Sequence, residues 1–189
     1  MRIISGKLKG KSIKFVKNLR TRPLKDIVRE NIFNILNHSN SIDVDIKNSN
    51  ILDLYSGIGS FGIECISRGA RKVTFIEKDK SSSNILRENL SRLSIKEKAL
   101  VISDRIENFL KREIMIEKKF DLFFLDPPFA ENNFLNVLKT IKKCEIYKSK
   151  HLIVLHRERK TNDNFDNLIN VINYKIYGRS KIIFGFFAK

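Results

Sequence analysis

From residue 50 onward, short apolar runs alternate with longer amphipathic segments, and this alternation narrows the possible folds more than any other feature of the chain. Residues 50–54 (NILDL), 72–77 (KVTFIE), 99–102 (ALVI), 120–125 (FDLFFL) and 151–156 (HLIVLH) are too short for helices and rich in branched or aromatic side chains. Between them, a segment ending near Arg68 and segments 81–93, 105–112 and 132–143 read as helices. Strands that alternate with helices predict a mainly parallel sheet covered on both faces. Two further β-rich runs, 170–177 and 181–187, flank Gly178-Arg179-Ser180. So tight a turn predicts an antiparallel pair, because parallel neighbours need a crossover.

The first 49 residues read differently. Residues 2–5 and 12–16 flank Gly6-Lys7-Leu8-Lys9-Gly10 and predict a basic hairpin or a pair of short strands. After Pro23, residues 25–37 read as a helix with Val28, Ile32, Ile35 and Leu36 on one stripe and Arg29 and Glu30 off it. Residues 38–49 look like a linker and 161–167 like an exposed loop. The expected organisation is a basic extension, 1–23, followed by an α/β domain, 24–189.

Charge adds a partner. The chain carries a formal +16, and residues 1–29 hold ten Lys or Arg against the single acid Asp26, a net +9. A Lys-rich codon bias would not concentrate charge in this way. The segment is expected to contact phosphates, with Arg2, Lys7, Lys9, Lys11, Arg20, Arg22 and Arg29 as the candidates. Cys65 and Cys144 form no C-x-x-C pair, and His38, His151 and His156 show no metal-binding spacing, so reduced thiols and no metal are expected. No apolar run approaches the ~20 residues that span a bilayer. A monomeric cytoplasmic protein is the expectation.

Two motifs carry chemistry. The first is Asp53-Leu54-Tyr55-Ser56-Gly57-Ile58-Gly59-Ser60-Phe61-Gly62, a glycine-rich turn between a strand and a helix. Such turns let a ligand approach the backbone closely. An acid where the strand meets the turn suits a cation better than a pyrophosphate, and S-adenosylmethionine is cationic at its sulfonium and ammonium. Asp53, Tyr55, Ser56, Gly57 and Gly59 are therefore the first candidates for its site. Glu77, twenty residues after Gly57, can accept both ribose hydroxyls, with Asp79 as the fallback. Asp104 can meet an adenine amino group or can cap the helix that follows.

The second motif is Asp126-Pro127-Pro128-Phe129, directly after the strand 120–125. The amine of a nucleic-acid base is a poor nucleophile because its lone pair is delocalised into the ring. Two acceptors aimed at its hydrogens, the Asp126 carboxylate and the Pro127 carbonyl, favour a pyramidal nitrogen. The prolines preorganise that carbonyl, and Phe129 can stack on an extruded base. In-line displacement at a sulfonium methyl depends on alignment, so no histidine base is required. A nicotinamide enzyme would need the glycines but not this turn.

The spacing of the glycine turn, Glu77 and the acidic diproline resembles the class I S-adenosylmethionine-dependent methyltransferases. The chain as a whole resembles the ribosomal small-subunit methyltransferase D family. Arg2-Ile3-Ile4-Ser5-Gly6, Gly10-Lys11, Arg22-Pro23-x-x-Asp26-x-Val28-Arg29-Glu30-x-x-Phe33-Asn34 and Tyr177-Gly178-x-Ser180 are similar to blocks of that family, while Leu24 stands where it usually has Thr. The resemblance implies a Rossmann-like fold with a seven-stranded, mainly parallel sheet ending in an antiparallel strand. It implies methyl transfer from S-adenosylmethionine to the N2 amine of a guanine in 16S rRNA or in a small-subunit assembly intermediate. Asp53, Gly57, Gly59, Glu77 and Asp104 would line the cofactor, Asp126, Pro127 and Phe129 the base, and the basic extension would hold RNA. An amino methyltransferase acting on another RNA or on DNA, and a non-catalytic RNA-binding assembly factor, stay open at this point.

Overall fold

The computed structural model describes residues 1–15, 24–111, 119–131 and 133–189. Seven strands form one sheet in the order β3-β2-β1-β4-β5-β7-β6. They are β1 (Asn50–Leu54), β2 (Lys72–Ile76), β3 (Ala99–Ile102), β4 (Phe120–Leu125), β5 (Tyr147–Glu158), β6 (Ile169–Tyr177) and β7 (Ser180–Phe187). The first five pair in parallel, and β7 runs antiparallel to both β5 and β6. The tight turn at Gly178 thus joins an antiparallel pair, as its length requires. β5 is longer than the apolar pattern predicts, because the polar stretch that opens it, from Tyr147 to Lys150, hides its start.

The helices among the described residues are α1 (Asp26–His38), α2 (Ser60–Ser67), α3 (Lys80–Arg92), α4 (Ile106–Leu110) and α5 (Phe134–Cys144). Alternate strand residues feed two cores. Ile51, Phe75, Leu122, Phe124 and Val154 pack with Phe33, Phe61 and Leu86 of α1–α3. Leu52, Leu54, Phe123, Leu125 and Leu155 pack with Phe109, Phe134 and Leu138 of α4 and α5. A stack of Phe33, Phe61 and Phe124, with ring centroids 5.1 and 3.9 Å apart, pins α1 and α2 to β4. Truncating any of these to Ala would cost about 3–5 kcal/mol. No described helix is long and apolar enough to cross a membrane.

The N-terminal pairing is short: the Ile3 N–H donates to the Lys11 carbonyl at 3.0 Å, the Ile13 N–H to the Met1 carbonyl at 3.0 Å and the Gly10 N–H to the Ile3 carbonyl at 2.9 Å. Residues 1–15 contain one isolated antiparallel bridge, Arg2 to Ser12, and no strand. Pairing goes no further because the neighbouring amides bond elsewhere. Ile4 and Ser5 donate to the buried Glu64 carboxylate at 2.8 and 2.9 Å, Lys7 donates to the Ser67 carbonyl at 2.8 Å, and Leu8 to Ser67 Oγ at 3.0 Å. Asn89 of α3 holds the backbone of Lys14 from both sides, at 2.8 and 3.0 Å. Backbone donors satisfied by α2 and α3 have no need of a strand partner. The extension is a docked arm, with Ile3 and Ile13 in the core.

Candidate active site

The parallel strands bring their C-terminal ends to one edge, where ligands collect in open α/β sheets. Here the turns after β1, β2 and β4 border a cleft of about 1430 Å³. Tyr55, Ser56, Gly57, Glu77, Asp104, Asp126, Pro127, Pro128 and Phe129 all line it. Residues expected from separate motifs thus share one cavity. Gly59 and Asp53 lie just behind its wall, in the turn and at the end of β1.

The β1–α2 turn is held by short bonds. Tyr55 sits at φ 59°, unusual for a residue with a side chain. Ser56 N–H donates to the Ile76 carbonyl at 3.1 Å, and Gly59 N–H to the Ser56 carbonyl at 2.7 Å. Gly57, at φ 53°, has open space where a Cβ would lie, so the turn presents bare backbone to the cleft. Its N–H donates to Glu77 Oε2 at 2.7 Å, while Glu77 Oε1 accepts the Asp79 N–H at 2.8 Å. Glu77 therefore ties the turns after β1 and β2 together, and ribose hydroxyls would have to use its remaining lone pairs.

Asp53 is the most strained electrostatic element. Its Oδ2 accepts the Gly62 N–H of α2 at 3.0 Å. Its Oδ1 and the Ser56 hydroxyl are buried with no hydrogen-bond partner among the described residues. Burial pushes the Asp53 carboxyl well above the usual carboxylate range; the Gly62 N–H pulls it back, and Asp126 and Glu77 push it further up. A buried acid with an unused oxygen, beside a turn of bare backbone, fits a cationic adenosyl ligand. Asp104 reaches the cleft from the turn after β3, and its Oδ1 accepts the Arg105 N–H at 2.7 Å and Asn108 Nδ2 at 2.8 Å. These bonds tie Asp104 to the start of α4 without capping it, since the N-cap position is Arg105 and no side chain among the described residues accepts from the first helical amides.

The acidic diproline turn leaves β4 beside β1, where the Asp126 N–H meets the Leu54 carbonyl at 3.4 Å. Pro127 is buried, Pro128 exposed and Phe129 half-buried. The Glu131 N–H closes the turn on the Pro128 carbonyl at 2.8 Å. The Tyr55 hydroxyl donates to Glu131 Oε1 at 3.0 Å, joining the two motifs directly. Burial, with Glu131 beside it, raises the pKa of that phenol.

Two residues of this site, His156 and Arg157, escaped the sequence reading. His156, 8% exposed, bonds Asp126 Oδ1 through Nδ1 at 2.7 Å and Ser180 Oγ through Nε2 at 2.8 Å. Arg157, fully buried, lies over the Phe134 ring at 4.3 Å and donates to Asp163 and to the Glu131 carbonyl. The only available signal was a strand that ends in His-Arg-Glu where its core is apolar.

Among the candidate phosphate contacts, Arg2, Lys7, Lys9 and Lys11 are exposed on the docked arm. Arg20 and Arg22 lie outside the described residues. Arg29 is a correction. It is 0% exposed, and its Nη2 donates to the Arg2 carbonyl and, at 3.0 Å, to Asp26. α1 buries Phe33 and Leu36 as well as Val28 and Ile32, so the buried face widens to include position 29. Arg29 fastens the arm and offers no phosphate a surface.

A seven-stranded sheet of this order, with an acid-and-glycine turn after β1 and an acidic diproline turn after β4, defines a methyltransferase of class I. Within that class, the chain belongs to the ribosomal small-subunit methyltransferase D family: the family model described as conserved hypothetical protein 95 matches residues 1–186. Ribosomal RNA small subunit methyltransferase D of Haemophilus influenzae is 33% identical over 186 residues, covering 94% of this chain and 93% of that protein. YlbH of Bacillus subtilis, assigned as an rRNA methyltransferase, is 33% identical over 160 residues, 85% of this chain and 84% of its own. The solved structure of Escherichia coli yhhF, assigned as a methyltransferase, superposes with a TM-score of 0.81 at 27% identity, covering 100% of this chain and 99% of that one.

Proposed function

We propose that this protein transfers a methyl group from S-adenosylmethionine to the N2 amine of a guanine in 16S rRNA, as a modification step in small-subunit biogenesis. The observation that carries the reading is the shared cleft, in which the Tyr55–Ile58 turn and the Asp126–Phe129 turn face one cavity. The names of the relatives supply the rRNA. When bound, S-adenosylmethionine supplies a methyl carbon activated by its sulfonium. The chain's own part is orientation and charge. Asp53 receives the cofactor's cationic group, the bare backbone of the glycine turn lets it approach, and Glu77 takes its ribose. The Asp126 carboxylate, bonded among the described residues only by His156 at Oδ1, takes a hydrogen of the target amine at its other oxygen. Asp126 and the Pro127 carbonyl then hold the nitrogen lone pair toward the methyl. Phe129 stacks on the extruded base. The proton lost on N-methylation leaves from a nitrogen already bonded to Asp126.

Preorganised polar groups of this kind are worth about 10²–10³ in rate. Asp126→Ala is accordingly expected to keep cofactor affinity while lowering methyl transfer about 100-fold or more. The test is transfer of tritiated methyl to 16S rRNA from a deletion strain, both naked and in assembled small subunits, with mass mapping of the product. Activity near wild type in the variant, or methyl found on any atom but guanine N2, overturns the reading.

A further inference from the structure

β5 sends consecutive side chains to opposite faces of the sheet, and both reach the turn that follows β4. Arg157 grips its far end at the Glu131 carbonyl, and His156 grips its start at Asp126. The His156 contacts are chemically selective. A carboxylate oxygen only accepts, so the bond to Asp126 Oδ1 places the hydrogen on Nδ1. In the neutral ring Nε2 is then an acceptor for the Ser180 hydroxyl, 2.8 Å away. One neutral tautomer satisfies both bonds, and the ring cannot turn over without losing them. The same ring meets the edge of Phe129, with centroids 5.4 Å apart and planes at 82°. A carboxylate torsion is broad and roughly two-fold by itself. Here one oxygen is held by a ring that is itself held from β7.

We propose that His156 is a positioning residue for amino methylation: through Nδ1 it fixes the Asp126 carboxylate so that its second oxygen meets the target amine, and Ser180 fixes His156. The proposal rests on the role assigned to Asp126 above. It also gives the Tyr177-Gly178-x-Ser180 block a task, since Ser180 is the first residue of β7 and closes the chain of bonds from the sheet. His156 touches neither the base nor the cofactor in this scheme. Its effect belongs in turnover and not in cofactor binding.

The test compares His156→Leu, His156→Asn, Ser180→Ala and Asp126→Ala with wild type, using small subunits from a deletion strain as methyl acceptor. Leucine removes the donor. The Nδ2 of asparagine stands where the imidazole Nδ1 stood. Misplacement of a reacting group by about 1 Å is worth about 10²-fold, so His156→Leu is expected to lower kcat by about 10- to 100-fold. S-adenosylmethionine Kd and melting temperature should stay near wild type, and His156→Asn should recover most of the loss. Ser180→Ala is expected to lose kcat more mildly, about 3- to 10-fold, on the same scale. Wild-type kcat in His156→Leu overturns the proposal, as does an asparagine variant that folds and binds cofactor yet is as slow as leucine. If His156→Leu does not fold, wild-type kcat in Ser180→Ala overturns it instead. An active Asp126→Ala would sink the reading of the turn itself. An inactive Asp126→Ala beside a fully active His156→Leu would sink only the role given to the histidine.

Discussion

On the proposed reading, Asp53 carries a conflict between stability and ligand binding in one side chain. Its folded carboxyl is pushed well above the unfolded value, so the native state binds a proton more tightly than the unfolded chain does. By linkage, stability falls as pH rises through that raised value, because the ionised Asp53 opposes folding. Asp53→Asn keeps an oxygen for the Gly62 N–H and removes the charge. It is expected to raise the melting temperature without cofactor and to weaken S-adenosylmethionine about 10-fold or more, given that a hydrogen bond to a charged group is worth roughly 1.5–3 kcal/mol. Calorimetric titration alongside thermal melts checks both; an equal or tighter Kd would remove Asp53 from the cofactor's partners. His151 shows the opposite sign. Its Nδ1 bonds the Lys148 carbonyl at 2.8 Å and its Nε2 accepts the Phe187 N–H at 3.0 Å, so protonation would break the second bond. Burial lowers its pKa below the ordinary value of about 6.5. Stability it contributes above about pH 6.5 is therefore lost as pH falls through the lower folded value. Melting temperature measured from neutral to mildly acidic pH should drop less in His151→Gln than in wild type.

At the level of elements, α2 is the hub. Its first turn receives Asp53 through Gly62, and its last turn holds the arm through Glu64 and Ser67. The arm passes so close that a Cβ on Gly6, at φ 82°, would fall 2.0 Å from the Ser67 carbonyl oxygen. Gly6→Ala is expected to destabilise the fold by about 1–3 kcal/mol through backbone strain, and to weaken RNA binding while leaving cofactor affinity unchanged. Thermal melts and a filter-binding assay read the two effects; unaltered RNA affinity would separate the arm's docking from its binding. The docking was not legible in the sequence, because glycines and basic residues at 6–11 read equally well as a free hairpin. Its partners, Glu64, Ser67 and Asn89, lie about 60 to 75 residues away. Arg29 was misread for a related reason. It closes a stretch dominated by basic residues, whereas in space it meets the Arg2 carbonyl and the charges of Asp26, Glu64 and Arg68.

Across the whole molecule, the sheet and both motif turns could be read from the sequence because each is a local pattern at a strand end. Asp53, Gly57, Glu77 and Asp126 needed only their own flanking residues to be recognised. His156 and Ser180 could not be found this way, since their bond depends on β7 inserting beside β5, which no periodicity reports. The positive charge of the arm is a property of the molecule as a whole, and it yields a prediction at that scale. Replacing Lys7, Lys9 and Lys11 together with Ala should weaken RNA binding and reduce the slope of log affinity against log salt by about 2 to 3, at roughly 0.7–0.9 per phosphate contact. An unchanged slope would place the phosphate contacts elsewhere. The shared helix has a geometric corollary. With the cationic arm clamped to one end of α2 and the cleft framed by the other, the two behave as the fixed jaws of a caliper. On the proposed reading, the nucleotide methylated is then the one whose distance from a folded phosphate ridge matches the gap between those jaws, so the tertiary shape of the RNA becomes part of the recognition code.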